Sequence, residues 1–99
     1  MVLFKKVEQW ADDKGLLDQS PKKQFLKVVE EIGEIAEALA KGQDKTALRE
    51  EIGDAIVTLI ILSKQSGLSA EECLTFAYDK IVNRKGAIID GVFVKEDDL

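Results

Sequence analysis

Residues 24–42 read QFLKVVEEIGEIAEALAKG, and residues 44–65 read DKTALREEIGDAIVTLIILSKQ. Both segments contain nearly the same five-residue acidic motif, EEIGE at 30–34 and EEIGD at 50–54. Apolar residues recur through both at the three- and four-residue spacing that is typical of an amphipathic helix. Because the connection between the two segments is short, the sequence predicts an antiparallel helical hairpin in which the two acidic motifs face one another.

Glycine and proline divide the rest of the chain into further helices. Helical segments precede Gly15, Gly42, Gly67 and Gly86, and the only proline, Pro21, follows Ser20 at a first helical position. Asp44 is placed to cap the third helix, and Ser69 with Glu72 has capping-box spacing for the fourth. We therefore expect a single all-α domain over residues 1–99, a four-helix bundle-type protomer. Residues 88–94 resemble a tiny hairpin around an Asp-Gly turn and are expected to dock as a tail.

The composition excludes several classes of protein. A formal net charge of -5 argues against binding nucleic acid through bulk electrostatics. The chain has no histidine and one cysteine, Cys73, so zinc clusters, intrachain disulfides and histidine-based catalysis are absent. No stretch approaches the ~20 apolar residues that a bilayer-spanning helix needs, so no membrane association and a cytoplasmic location are expected.

Acidic residues border the apolar face of both central helices. With about 100° of rotation per residue, the apolar residues of the second helix fill an arc of roughly 40° to 140° from Glu31. The predicted core residues of the two helices are Phe25, Val28, Ile32, Ile35, Ala36, Leu39, Leu48, Ile52, Ala55, Ile56 and Leu59. Glu31 with Glu34, and Glu51 with Asp54, form i, i+3 pairs at the edge of these arcs. Packing of the hairpin would bring four carboxylates together.

A solvated acidic face is the alternative explanation for these acids. Such a face normally pairs each acid with a base one turn away, as Glu37 does with Lys41. Glu34, Glu51 and Asp54 have no basic residue at that spacing. Carboxylates without histidine or thiolate are hard oxygen ligands, which suit Mg²⁺, or Mn²⁺ in its place. The spacing leaves both a metal site and a solvated face open.

A basic cluster and several aromatic residues lie outside the acidic motif. Lys80, Asn83 and Arg84 end the fourth helix, where they either complement the helix dipole or hold the phosphates of a nucleotide. Trp10 and Phe25 are candidates to stack on a base, although most aromatics at helical spacing belong to a core. Gln24, one turn before the acidic motif, is placed to read the edge of a base.

The third helix is apolar nearly all round its axis. Val57, Ile60 and Ile61 lie outside the predicted core arc. Four helices of this length cannot cover such a helix on every side, so these residues predict a homo-oligomeric interface.

These motifs resemble those of the MazG-like, all-α nucleoside triphosphate pyrophosphohydrolases, and most of all the short single-domain members from bacteria and phages. The resemblance rests on Glu30-Glu31-x-x-Glu34, then Glu51-x-x-Asp54, then the Lys80 to Arg84 cluster. It implies a helical bundle that forms homodimers or homotetramers. It also implies cleavage of a nucleoside triphosphate to the monophosphate and pyrophosphate.

Roles for individual residues also follow from the resemblance. It implies that Glu31, Glu34, Glu51 and Asp54 bind Mg²⁺ and that Glu30 orients or activates the attacking water, a task in which Glu34 could share. The phosphate ligands would be Lys80, Asn83 and Arg84. Two alternatives stay open: a non-catalytic dimeric helical protein that binds a metal or nucleotide as a regulator, and an acidic adaptor for a basic partner.

Overall fold

The computed structural model describes residues 2–99, in which four α-helices precede a small antiparallel sheet. The helices are α1 (Val2–Asp13), α2 (Pro21–Ala40), α3 (Lys45–Gln65) and α4 (Ala70–Ile81), and the strands are β1 (Gly86–Ile89) and β2 (Val92–Lys95). Short 3₁₀ turns occupy Leu16–Asp18 and Glu96–Asp98. The predicted all-helical character is confirmed. Among the described helices, none combines the length and apolar character needed to cross a membrane.

The helix boundaries follow from local capping chemistry. The Ser20 hydroxyl accepts a hydrogen bond from the Lys22 amide, and the Asp44 carboxylate accepts one from Ala47. Ser69 and Glu72 form the expected reciprocal capping box. Each such cap contributes about 1 kcal/mol to helix stability. The fourth helix ends at Ile81, four residues earlier than Gly86 predicts, and residues 82–85 turn into the first strand.

The α2–α3 hairpin is the centre of the fold, and α1 and α4 both pack against α3. The line along which α2 meets α3 contains small side chains, with Val28 and Ala38 from α2 and Ala55 and Thr58 from α3 all buried. Small residues on this line let the two helix axes approach closely. Glu31 and Glu51 are half-buried beside them.

Two predictions about helix faces are wrong. Phe25, Ile32 and Leu39 were expected in the core, but all three are at least half exposed. Ile60 and Ile61 were expected at an oligomer interface, but they are 2% and 5% exposed and belong to the core of the protomer. The reason is that α2 meets α3 along the Glu31 edge of the apolar arc, while neighbouring helices cover the side of α3 that contains Ile60.

The residues displaced from the core form one continuous apolar surface, which we call the open face. Antiparallel helices that meet along Glu31 and Glu51 turn their positions at about 80° to 160° toward the same side of the hairpin. Exposed apolar residues occupy these positions on both helices: Phe25, Val29, Ile32, Leu39, Ile52, Ile56 and Leu59. The fold therefore leaves uncovered a surface with the composition of a protein core.

Candidate metal and nucleotide site

Three acidic side chains converge where the acidic motifs of α2 and α3 meet. The i, i+3 spacing places Glu51 and Asp54 on one edge of α3, and the antiparallel packing brings Glu31 of α2 opposite them. Carboxylate oxygens of these three residues lie within 4.8 Å of one another. The side chain of Glu31 is only 13% exposed, Glu51 is half-buried and Asp54 faces solvent.

The negative charge of Glu51 and its neighbouring acids is not balanced by a nearby cation that acts on Glu51. Partial burial raises the pKa of Glu51, and the charges of Glu34, Asp54, Glu31 and Glu50 raise it further. No cation is among the groups that act on this pKa. Ionised carboxylates this close repel one another at neutral pH, which favours occupation by a positive species.

A basic side chain does approach one edge of the group. Lys27 Nζ lies 3.5 Å from both Glu30 Oε1 and Glu31 Oε1, and these acids raise its pKa. Lys27 is about half exposed, so solvent screens this pairing. The ion pair neutralises the Glu31 side of the cluster, and within residues 2–99 neither Glu51 nor Asp54 takes part in an ion pair.

The chemistry of these donors fits a small divalent cation. Mg²⁺ prefers carboxylate oxygens, and Glu31, Glu51 and Asp54 would supply three of them to a single ion. Glu34, the fourth predicted ligand, is exposed and outside the group of three, although its charge acts on Glu51. Glu30, predicted to handle the attacking water, has a side chain that is 60% exposed and bonded to Lys27.

A cavity of about 440 Å³ opens beside the carboxylates. It is lined by Trp10, Leu16, Gln24, Lys27, Glu31, Asp54, Val57, Thr58 and Ile61. Its wall therefore changes from apolar and aromatic side chains on the α1 side to carboxylates at the other end. This combination suits a ligand with a flat apolar part and a charged part.

The structure places the predicted base-binding residues differently from one another. Trp10 and Gln24 line the cavity, whereas Phe25 does not and belongs to the open face. Gln24 Nε2 donates a hydrogen bond to the Thr58 carbonyl oxygen at 3.2 Å, which fixes the amide at the wall. Sequence reasoning missed Lys27, Val57 and Thr58 in this wall. The position of Thr58, one turn after Asp54, was the available signal.

The basic cluster lies apart from the carboxylates. Lys80 is in the last turn of α4, with its Nζ 5.7 Å from the centre of the Phe76 ring. Asn83 and Arg84 line a separate cavity of about 230 Å³ at the base of the sheet, together with Lys85, Lys95, Glu96 and Asp97. Within residues 2–99, no ion pair joins this cluster to the acids of α2 and α3.

Two comparisons with known proteins found sequences similar to this chain. The family model of the MazG nucleotide pyrophosphohydrolase domain matches residues 19–88, which include both acidic motifs. An uncharacterized 18.2 kDa protein of Haemophilus phage HP1, from the rep-hol intergenic region, is 41% identical over 69 residues. That match covers 69% of this chain and 42% of the phage protein. No solved structure matches the chain. The extent of the family match shows that the chain belongs to the MazG nucleotide pyrophosphohydrolase family.

Proposed function

We propose that the protein is a Mg²⁺-dependent nucleoside triphosphate pyrophosphohydrolase that converts a ribo- or deoxyribonucleoside triphosphate to the monophosphate and pyrophosphate. The observation that supports this most strongly is the convergence of Glu31, Glu51 and Asp54 beside a cavity of about 440 Å³, which Glu31 and Asp54 line. Family membership supports the general class of reaction. The carboxylates supply the metal-binding end and the cavity accommodates the nucleoside.

Glu31, Glu51 and Asp54 would hold Mg²⁺, or Mn²⁺ in its place, with Glu34 joining them by a side-chain rotation. Bound there, the ion would offset negative charge on the phosphates. It would also lower the pKa of a water bound to it, so that this water ionises near neutral pH. The acidic net charge of the chain is compatible with a phosphate substrate on these terms. The half-buried position of Glu31 and Glu51 strengthens their electrostatic interactions by excluding part of the solvent.

The hydrolysis needs a residue that takes a proton from the attacking water. We assign this to Glu34 or Glu30, which lie on α2 beside the three converging acids. Water oxygen bonds to the α-phosphorus, the bond from that phosphorus to the bridging oxygen breaks, and pyrophosphate leaves with the electron pair. The released proton passes to the glutamate.

The nucleoside would occupy the cavity with its base against the Trp10 indole and near the Gln24 amide. The hydrogen bond to Thr58 uses one amide hydrogen of Gln24 and leaves its carbonyl oxygen for a base edge. Lys80, Asn83 and Arg84 would contact the outer phosphates, for which a guanidinium fork and an amide are directed donors.

A panel of ribo- and deoxyribonucleoside triphosphates tests the proposal. Incubation with Mg²⁺ is expected to release pyrophosphate and monophosphate in equal amounts from at least one of them, and omission of Mg²⁺ is expected to abolish release. Separation of the products by ion-exchange chromatography distinguishes this cut from release of single phosphate groups. Binding of nucleotides without turnover of any would instead identify the non-catalytic regulator.

We further infer that the protein is a homodimer through the open face, as a dimer alone or as half of a tetramer. A folded monomer of 11.0 kDa exposes ~5,600 Å². This chain exposes 7557 Å². Its radius of gyration is 16.0 Å, against about 13 Å for a compact chain of this length. Burial of the surplus of roughly 1,900 Å² per chain would give an interface in the size range of obligate homodimers.

Substitution Ile56→Asp is expected to convert the dimer to a monomer, because it places a charge at the centre of the open face. Sedimentation velocity measures the change. Leu3→Asp is the matched control, since Leu3 is an exposed apolar residue of α1 outside the open face. A wild-type protein that sediments as a monomer, or an Ile56→Asp variant that stays dimeric, would contradict the interface.

A further inference from the structure

A short connection, residues 14–20, joins α1 to α2 and contributes to the wall of the cavity beside the carboxylates. It contains Gly15 in a left-handed conformation, at φ 75°, followed by the 3₁₀ turn Leu16–Asp18. This turn packs against both α1 and α3. Leu16 is half-buried and lines the cavity together with Trp10. The position of the connection therefore affects the shape of the cavity.

One side chain from outside the connection hydrogen-bonds to it. Gln65, the last residue of α3, donates from Nε2 to the Leu16 carbonyl oxygen at 2.9 Å. The same oxygen accepts the backbone N–H of Gln19 at 3.1 Å, so both of its lone pairs are used. Within residues 2–99, no other side chain from outside residues 14–20 donates to this connection. Gln65 thus ties the connection to α3.

Gln65 extends the row of α3 residues that lines the cavity. Asp54, Thr58 and Ile61 line it at spacings of four and three residues. Gln65 follows Ile61 by four residues and so lies on the same face of the helix. At about 1.5 Å per residue, Gln65 is roughly 16 Å from Asp54 along the helix axis. The amide is therefore at the end of the row opposite to the carboxylates.

The oxygen of the Gln65 amide has no hydrogen-bond partner. Oε1 is buried and accepts no hydrogen bond within residues 2–99. Buried acceptors without a partner are rare, because burial removes their hydrogen bonds to water. An apolar side chain of the same length would fill this space without that cost. Packing alone thus does not account for an amide at this position, whereas the bond to Leu16 does.

We propose that Gln65 is a positioning residue for the nucleoside: its bond to Leu16 holds residues 14–20 against α3, and this sets the affinity of the cavity. Without the bond, the connection is docked in a smaller fraction of molecules, and the apparent affinity falls in proportion to that fraction. The metal-binding acids, at the other end of the row, are unaffected. This inference rests on the proposed function, which places a nucleoside in the cavity.

Gln65→Met tests this role, because it keeps the length of the side chain and removes the donor. KM for the triphosphate is expected to rise about five- to tenfold, the equivalent of one ordinary hydrogen bond. Values of kcat, the melting temperature and its shift by Mg²⁺ are expected to match wild type. An unchanged KM would overturn the proposal, and so would a fall in kcat or in melting temperature as large as the effect on KM.

Gln19→Met is the matched control. Gln19 belongs to the same connection, but its side chain is exposed and donates to the Gly15 carbonyl oxygen within that connection. The same chemical change there is expected to leave KM within about twofold of wild type. Gln65→Asn, with an amide one methylene shorter, is expected to raise KM as Gln65→Met does, and it decides the test if the methionine variant does not fold. Equal KM values in the Gln65 and Gln19 variants would contradict the role.

A double-mutant cycle with Leu16→Ala tests whether Gln65 acts through the connection. Leu16→Ala keeps the backbone carbonyl and removes most of the side chain that lines the cavity. Once that side chain is absent, loss of the Gln65 bond is expected to raise KM little further, so the two effects are non-additive. Additive effects would show that Gln65 acts independently of Leu16 and would overturn the proposal.

Binding measured without turnover separates this inference from the proposed function. Trp10 is the only tryptophan and lines the cavity, so its fluorescence reports occupancy. The probes are the α,β-methylene analogues of the ribo- and deoxyribonucleoside triphosphates, which resist cleavage between the α- and β-phosphates, with Mg²⁺ present. If the wild type has no turnover but the analogues bind more weakly to Gln65→Met than to Gln19→Met, the proposed function fails and the role of Gln65 stands. Equal binding to the two variants, or binding to neither, overturns that role.

Discussion

Replacement of Glu51 by glutamine is expected to lower Mg²⁺-dependent pyrophosphate release by about 10²–10³-fold, the typical cost of removing one electrostatic contact to a transition state. Glu51 is the most interconnected acid of the site, since four other carboxylates act on its pKa. Glutamine keeps the size of the side chain and removes only the charge. The loss is therefore expected in kcat, while the helical circular dichroism stays unchanged.

Glu37→Gln provides the control for this substitution. Glu37 is on α2, forms a surface ion pair with Lys41 at 2.5 Å and lies outside the group of converging acids. The same chemical change there is expected to leave turnover within about twofold of wild type, because exposed pairs contribute little. Comparable losses in both variants, or full activity of Glu51→Gln, would refute the assigned role.

Mg²⁺ is expected to stabilise the wild-type protein against unfolding and to leave Glu51→Gln nearly unaffected. A ligand that binds only the folded state at a hundredfold excess over its Kd contributes about 2.7 kcal/mol. Thermal denaturation with and without Mg²⁺ measures this effect without any nucleotide. Equal melting temperatures of the wild type in both conditions would contradict a metal site at these acids.

The pH dependence without metal has a definite sign. The folded protein raises the pKa of Glu51 above that of the unfolded chain, so the protonated form favours folding. This stabilisation is present below the unfolded pKa and is lost as pH rises through the folded pKa. At neutral pH without metal, Glu51→Gln is therefore expected to melt at a higher temperature than wild type. The difference should shrink as pH falls through the raised pKa of Glu51.

Much of the fold is encoded in local sequence signals. Pro21, Ser20, Asp44 and the Ser69 capping box define helix starts through hydrogen bonds of a few residues' range, and the structure has those caps. The repeated acidic motifs predict that Glu31, Glu51 and Asp54 lie close together, because a short loop leaves the two antiparallel helices little freedom of register.

The choice between core and interface was not encoded in the same way. Core surfaces and interface surfaces are both apolar. The apolar arcs that contain Ile32 and Ile56 therefore do not indicate which of their residues pack against the neighbouring helix of the same chain. The buried line is instead marked by small residues such as Ala38 and Ala55, with polar Thr58 among them. The cavity beside the carboxylates depends on how α1 crosses α3, and the periodicity of neither helix specifies that crossing.

The open face has a consequence for how the protein is handled at low concentration. If it is covered only by a second chain, association and folding are coupled, and the fraction of assembled protein depends on total concentration. Dilution toward the dissociation constant would then lower turnover per chain as well as thermal stability. Specific activity would be a function of enzyme concentration, and kinetic constants measured at different dilutions would differ until assembly is complete.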